Sequence, residues 1–261
     1  MRTPSGSQIK GILTRAALDG GKIIRRYFLA RGVEVREKTS PADLVTNVDL
    51  LVQERVTAIF RKGLPGATVI SEESEAAPLS KEMVYVDPID GTLNFVHGFP
   101  QCAISLGYWR DGIPLAGVVY NPVTGDLFAA QRGRGATRNG KAIAVSATRG
   151  LGNSLLSTGW PYEREGRERL FSAMEKGYIA AQEIRTLGSA SLALCYVASG
   201  ALDGYWEWDL APWDTAAGVL IVSEAGGRVS NLKGGAFRLD RGGLVASNGR
   251  IHSELVRKVT R

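Results

Sequence analysis

The apolar residues change their period near residue 67, and that change constrains the fold more than any other feature of the chain. Upstream, Ile9, Ile12, Leu13, Ala16, Ala17, Ile23, Ile24 and Phe28 recur at helical spacing, which predicts an amphipathic helix over 7–31 with a soft point at Gly20-Gly21. A second helix is expected after Thr46 or Asn47, either of which can cap it. Val48, Leu51, Val52, Val56, Ile59 and Phe60 supply its stripe, and Gly63, Pro65 and Gly66 stop it. Asp49 then falls in its first turn. Downstream, the runs ATVI, MVYV, CAISLGYW, IPLAGVVYN and DLFAAQ are separated by Gly, Pro, Asn or Asp, the pattern of a meandering, largely antiparallel sheet.

Beyond about residue 145 strands and helices alternate. LLSTG, EIRTL, DGYWEW, GRVSNL and LVAS read as strands, and 164–178, 189–200, 213–225 and the C-terminal segment as helices. Such alternation predicts a second, α/β half packed on the first. No repeat or low-complexity linker intervenes, so the expectation is an α/β (α+β) protein, one compact unit of two subdomains, 1–144 and 145–261.

Composition narrows the function classes. With 44% hydrophobic and 22% charged residues among 261, disorder is excluded. The N-terminal segment has no continuous apolar stretch before a small-residue cleavage site, and no run approaches bilayer-spanning length, so a cytoplasmic chain without membrane contact is expected. Cys102 and Cys195 stand far apart and read as core thiols in a reducing compartment. The net charge of +6 is scattered, densest at Arg132/Arg134/Arg138 and Arg164/Arg167/Arg169, which favours a solvated basic surface or an anionic substrate over nucleic acid.

Five acids end apolar runs or elements: Glu72 and Glu73 in SEES, Asp87 and Asp90 in VDPIDG, and Asp214 in PWDTAAG. Converging carboxylates would protonate unless cations neutralised them. The chain has two histidines, His97 and His252, and no CxxC or HxxxH spacing, so all-oxygen ligation of Mg²⁺ is the reading, not zinc. His97 reads as a packing or hydrogen-bonding residue. Gly91-Thr92 opens a helix whose free amides suit a phosphate. Asp90-Gly91-Thr92 mimics the loop of aspartyl-nucleophile phosphatases, but Pro88 stands where their nucleophile belongs. Neither cysteine has an arginine at the spacing of a cysteine phosphatase, which leaves direct attack by metal-activated water.

DLVTNVD (43–49), SEES, VDPIDGTLNFVHGFP, GVVYNP, LGSAS, WEWDLAPWDTAAG and SEAGG together resemble the Mg²⁺-dependent, lithium-sensitive inositol monophosphatases, of bacterial type, over essentially the whole chain. The resemblance implies the layered αβαβα sugar-phosphatase fold and two or three Mg²⁺ ions. Glu72, Asp87 and the Ile89 carbonyl would hold the first ion, Asp87, Asp90 and Asp214 the second, and Glu72 with water a third. It implies that Thr92 and Glu72 orient the attacking water, with Asp49 behind Thr92. Gly91 and Thr92 amides would take the phosphate, and Asp90, Ala190, Glu207 and Asp214 the substrate hydroxyls. Lys38 and Glu73 are nearby family positions, and Arg185 would reach substrate or a subunit contact.

The activity implied is hydrolysis of inositol monophosphate and related small polyol or sugar phosphates. The motifs leave open fructose 1,6-bisphosphate, histidinol phosphate, a nucleotide bisphosphate and NADP(H). The family is commonly homodimeric. A different class, a regulatory protein bound to transcription machinery or RNA, is the alternative, because some bacterial members have such partners.

Overall fold

The computed structural model describes residues 4–74, 78, 80–160, 167–240 and 242–259. In chain order the elements are α1 (Gly6–Tyr27), β1 (Val35–Ser40), β2 (Asp43–Thr46), α2 (Asn47–Gly63), β3 (Thr68–Ser71), β4 (Glu82–Asp90), α3 (Thr92–Val96), β5 (Ala103–Arg110), β6 (Ile113–Asn121), β7 (Asp126–Gln131), β8 (Ala136–Arg138) and β9 (Lys141–Ile143). They continue as β10 (Leu155–Thr158), α4 (Arg167–Ala180), β11 (Glu183–Arg185), α5 (Ala190–Ala198), β12 (Gly204–Trp208), α6 (Pro212–Thr215), α7 (Gly218–Glu224), β13 (Arg228–Ser230), β14 (Gly243–Ser247) and α8 (His252–Val259).

Strand alternation builds the layers. In the seven-stranded sheet β3-β4-β5-β6-β7-β8-β9, antiparallel except for β3 on β4, Val84, Val86, Ile104, Leu106, Val118 and Tyr120 face α1 and α2. Met83, Tyr85, Ala103, Val119 and Phe128 face the other way, onto α5, α6 and α7. The five-stranded sheet β11-β10-β12-β14-β13 covers those helices with Tyr205, Leu244 and Ala246. Its far face puts Leu156, Trp206 and Val245 against α4 and α8. The order is helix, sheet, helix, sheet, helix, the expected αβαβα arrangement.

Several elements depart from the sequence reading. Helix α1 passes through Gly20-Gly21 without a break, because both glycines are close-approach points: a Cβ on Gly20 would lie 2.8 Å from Ile104 and 3.1 Å from Val52. It ends at Tyr27, and Leu29 then adopts φ +62. The helix expected over 213–225 is two, α6 and α7. Strand β5 takes their carbonyls: Ser105 Oγ donates to Trp213 O at 3.2 Å and Trp109 Nε1 to Ala216 O at 3.1 Å. Gly107 and Gly117 let the sheet press on the joint, since a Cβ at either would stand 2.7 Å from Ala216 or Ala217 backbone. Residues 164–166 of the expected fourth helix lie outside the described residues, and α4 runs on to Ala180. No described helix is long and apolar enough to cross a membrane.

Candidate active site

Strand β4 carries its two acids three residues apart, a spacing that would place them on opposite faces of a regular strand. A bulge corrects this. Asp87 pairs with Ser105 and Asp90 with Ala103, so Pro88 and Ile89 stand opposite Ile104 alone and both acids face the inter-sheet helices. Ile89 points the other way, into the α1/α2 core. The strand then stops at Gly91, whose φ of +90 starts α3, and a Cβ there would stand 2.7 Å from the Gln101 carbonyl.

Other elements bring the remaining acids in. Parallel pairing sets Ser71 of β3 beside Val86, so the chain leaves the sheet at Glu72 next to Asp87. Gln53 of α2 fixes that turn, donating to the Glu73 carbonyl at 3.2 Å and accepting the Ser71 hydroxyl at 2.5 Å. The Lys38 ammonium of β1 lies 2.7 Å from Glu72 and also binds Glu73, and the two carboxylates raise its pKa against the opposing effect of burial. Asp214 caps α6, accepting the Ala211 amide at 2.7 Å, with Pro212 in the first helical position.

Asp90 is the most heavily bonded of these acids. Ser189 Oγ (2.5 Å), Ala190 N (3.2 Å), Ser191 N (2.8 Å) and Ser191 Oγ all donate to it from the start of α5. That helix start is itself tethered by Asn94 of α3, whose amide nitrogen reaches the carbonyls of Leu187 (2.8 Å), Gly188 (3.2 Å) and Gln101 (2.7 Å). Asp87 is different: it is 2% exposed, and its Oδ1 is buried without a hydrogen-bond partner. Burial raises the pKa of Asp87, and the charges of Glu72, Asp90, Asp214 and Asp49 raise it further. Asp214 is raised by burial first, then by Asp90 and Glu72.

Thr92 Oγ1 donates to the Ile89 carbonyl at 2.9 Å and lies 3.3 Å from Asp49 Oδ1. Asp49 closes a capping box with Thr46, accepting its amide at 2.8 Å and its hydroxyl at 2.5 Å. Burial pushes the Asp49 carboxyl up to about 7. At the end of β12, Glu207 accepts the Tyr205 hydroxyl, and burial pushes its carboxyl up to about 8.

A buried, unpartnered Asp87 oxygen among carboxylates that raise one another's pKa is a donor set suited to divalent cations, and hard oxygen ligands fit Mg²⁺. Among the described residues no group of three or more acidic, imidazole or thiol side chains forms a ready cage. The reason is in the hydrogen bonds: Glu72 turns to Lys38, Asp90 to Ser189 and Ser191, and Asp214 to its own cap.

The structure therefore brings Glu72, Asp87, Asp90 and Asp214 into mutual electrostatic range, with Ile89, Gly91, Thr92, Asp49, Ala190 and Glu207 around them. Arg185 is exposed and bonds within its own strand, to the Ile184 carbonyl at 2.9 Å. His97 is exposed at the C-cap of α3 instead of packed. Cys102 and Cys195 are buried and free, the first pushed by burial up to about 12, which fits inert thiols. Sequence reasoning missed Ser189, Ser191 and Asn94. The Ser189 helix cap in LGSAS was the available signal for the first two. A surface concavity of about 820 Å³ lies elsewhere, along α1 between Arg15, Arg26 and Tyr120, and its one carboxylate, Asp19, is paired with Lys22 and Arg55.

The model of the inositol monophosphatase family matches residues 6–261. A Pasteurella multocida protein named Nus factor SuhB is 39% identical over 95% of this chain and 94% of its own. A Mesorhizobium japonicum inositol-1-monophosphatase is 36% identical over 97% and 96%. Among solved structures, the Bartonella henselae extragenic suppressor protein suhB superposes with a TM-score of 0.92 at 34% identity, covering 97% of this chain and 98% of that one. Staphylococcus aureus SaIMPase-II with bound inositol monophosphate superposes with a TM-score of 0.82 at 27% identity, over 97% and 93%. With the family model spanning the same strand ends and helix starts that gather the acids, the chain belongs to the inositol monophosphatase family.

Proposed function

We propose that the protein is a Mg²⁺-dependent phosphomonoesterase acting on inositol monophosphate and related small polyol or sugar phosphates. The observation that carries this reading is the bare, buried Oδ1 of Asp87 amid Glu72, Asp90 and Asp214. In it Glu72, Asp87 and the Ile89 carbonyl would hold one cation, and Asp87, Asp90 and Asp214 a second. Bound Mg²⁺ supplies positive charge for the phosphoryl and leaving oxygens and lowers the pKa of water.

The chain's own groups do the rest. Thr92, anchored on the Ile89 carbonyl and backed by Asp49, orients the attacking water with Glu72. The Gly91 and Thr92 amides receive the phosphate at the start of α3. Asp90, Ala190, Glu207 and Asp214 line the place of the polyol hydroxyls. Lys38 offsets part of the charge on Glu72 and Glu73. A homodimer is the assembly in this reading.

A panel of phosphate esters compared by kcat/KM, with Mg²⁺ and after chelation, tests it. Preference for inositol monophosphate, lost on chelation and restored by Mg²⁺, is expected; a large preference for fructose 1,6-bisphosphate, histidinol phosphate, a nucleotide bisphosphate or NADP(H) would replace the substrate. The relative named Nus factor SuhB favours a second reading, a regulatory protein associated with transcription machinery or RNA. A stoichiometric partner retained by Asp90→Asn would support it.

A further inference from the structure

The five-stranded sheet has a topological switch at β10. From β10 the chain crosses through α4, on the outer face, to β11 on one side. It then returns through α5, on the inner face, to β12 on the other side. Strands β10 and β12 are parallel neighbours, with Thr158 beside Trp206. Ligands of such sheets sit in the crevice beyond the carboxyl ends of the strands that flank the switch. The residues at those two ends are Gly159 and Glu207.

These two residues are fitted to each other. Gly159 is buried, and a Cβ built on it would overlap the Glu207 carboxylate. Its φ lies outside the left-handed region, so the requirement for glycine there is space and not backbone conformation. On the other side Tyr205, two residues back on the same face of β12 and 1% exposed, donates its hydroxyl to Glu207 Oε2. The Thr158 hydroxyl locks the two strand ends by donating to the Trp206 carbonyl at 2.8 Å. Glu207 is thereby aimed into the inter-sheet space, where Asp90 and Asp214 interact with it electrostatically.

Resting on the reading of Glu207 as a contact to a substrate hydroxyl, we infer that Gly159 and Tyr205 are positioning residues that set its carboxylate and so select esters whose alcohol part bears a free hydroxyl. A Cβ at 159 displaces the carboxylate, and loss of the phenol releases it. Neither change removes a hydrogen bond to the acids on β4.

The test compares inositol monophosphate with para-nitrophenyl phosphate, which has no free hydroxyl, in the Mg²⁺-loaded protein. Gly159→Ala should lower kcat/KM for the polyol ester at least about tenfold, chiefly through KM, and change the aryl ester by less than about threefold. Tyr205→Phe, which keeps the shape of the core, should shift the same ratio by about threefold or more, and it decides the matter if Gly159→Ala does not fold. Equal losses on both esters, or none on either, would overturn the inference. Glu207→Gln separates the levels. If it leaves the ratio unchanged, the hydroxyl contact itself is wrong; if it shifts the ratio while the other two variants are silent, only the positioning role falls.

Discussion

Acids at the ends of β4 and β12 face the same inter-sheet space but are held by opposite means. Asp87 has a bare buried oxygen among four other carboxylates, and Asp90 is held by donors from the start of a different helix, α5. Glu207 takes its hydrogen bond from the phenol of Tyr205, two residues back on its own strand. An uncompensated buried charge costs several kcal/mol unless something neutralises it, whereas a hydrogen-bonded carboxyl can remain neutral. The β4 end is thus built to gather charge, and the β12 end to present one polar group in a fixed place.

The largest effect should separate the two ends. Asp90→Asn should lower kcat on inositol monophosphate by on the order of 10³ with the far-UV circular dichroism unchanged, because it alters charge and not shape. Wild-type turnover with Mg²⁺ present would refute the assignment of the β4 acids.

A buried titratable group remote from both ends provides the contrast in stability. His252 is 1% exposed, its Nδ1 2.9 Å from Ser247 Oγ and its Nε2 2.9 Å from Ser230 Oγ. Burial, helped by Arg228, pushes its pKa down from 6.5 to about 4. The folded state then binds the proton more weakly than the unfolded state. Stability from this group is complete above about pH 6.5 and is lost as the pH falls toward 4, by up to about 3 kcal/mol. Denaturant melts of wild type and His252→Gln between pH 7 and pH 4, roughly the window of that linkage, should show a shallower acid loss in the variant. Identical slopes would remove His252 from the account.

Lys38 tests how far a built-in cation offsets the β4 acids, and the effect should be the smallest. Lys38→Met removes the ammonium from Glu72 and Glu73 and makes the site more negative. The Mg²⁺ concentration for half-maximal activity should therefore fall by about two- to fivefold. A rise would mean that Lys38 chiefly orients Glu72.

Local signals made much of this architecture legible. Thr46 or Asn47 ahead of the Val48 stripe announced the start of α2, and the runs MVYV and CAISLGYW announced β4 and β5, because each rests on neighbours in sequence. DPIDG announced the acids, although the bulge that turns both to one face depends on pairing with β5. The β1–β2 hairpin went unread: VREKTS is mostly exposed and lacks apolar alternation. The β8–β9 hairpin did carry a signal in Asn139-Gly140, both at positive φ, but its three-residue strands are too short for a period. The grip of Ser189 and Ser191 on Asp90, and the fit of Gly159 under Glu207, join residues about a hundred and about fifty positions apart. The cap in LGSAS marks the start of α5, but no local pattern says which acid it grips.

Calorimetric titration of Mg²⁺ into chelator-stripped wild type and Asp87→Asn tests the central claim most directly. The claim is that Asp87, with its bare buried Oδ1, would anchor a divalent-cation centre. Wild type should bind more than one ion per chain, and Asp87→Asn should lose the tight binding while keeping its fold. Undiminished binding by Asp87→Asn, or no binding by wild type, would contradict it.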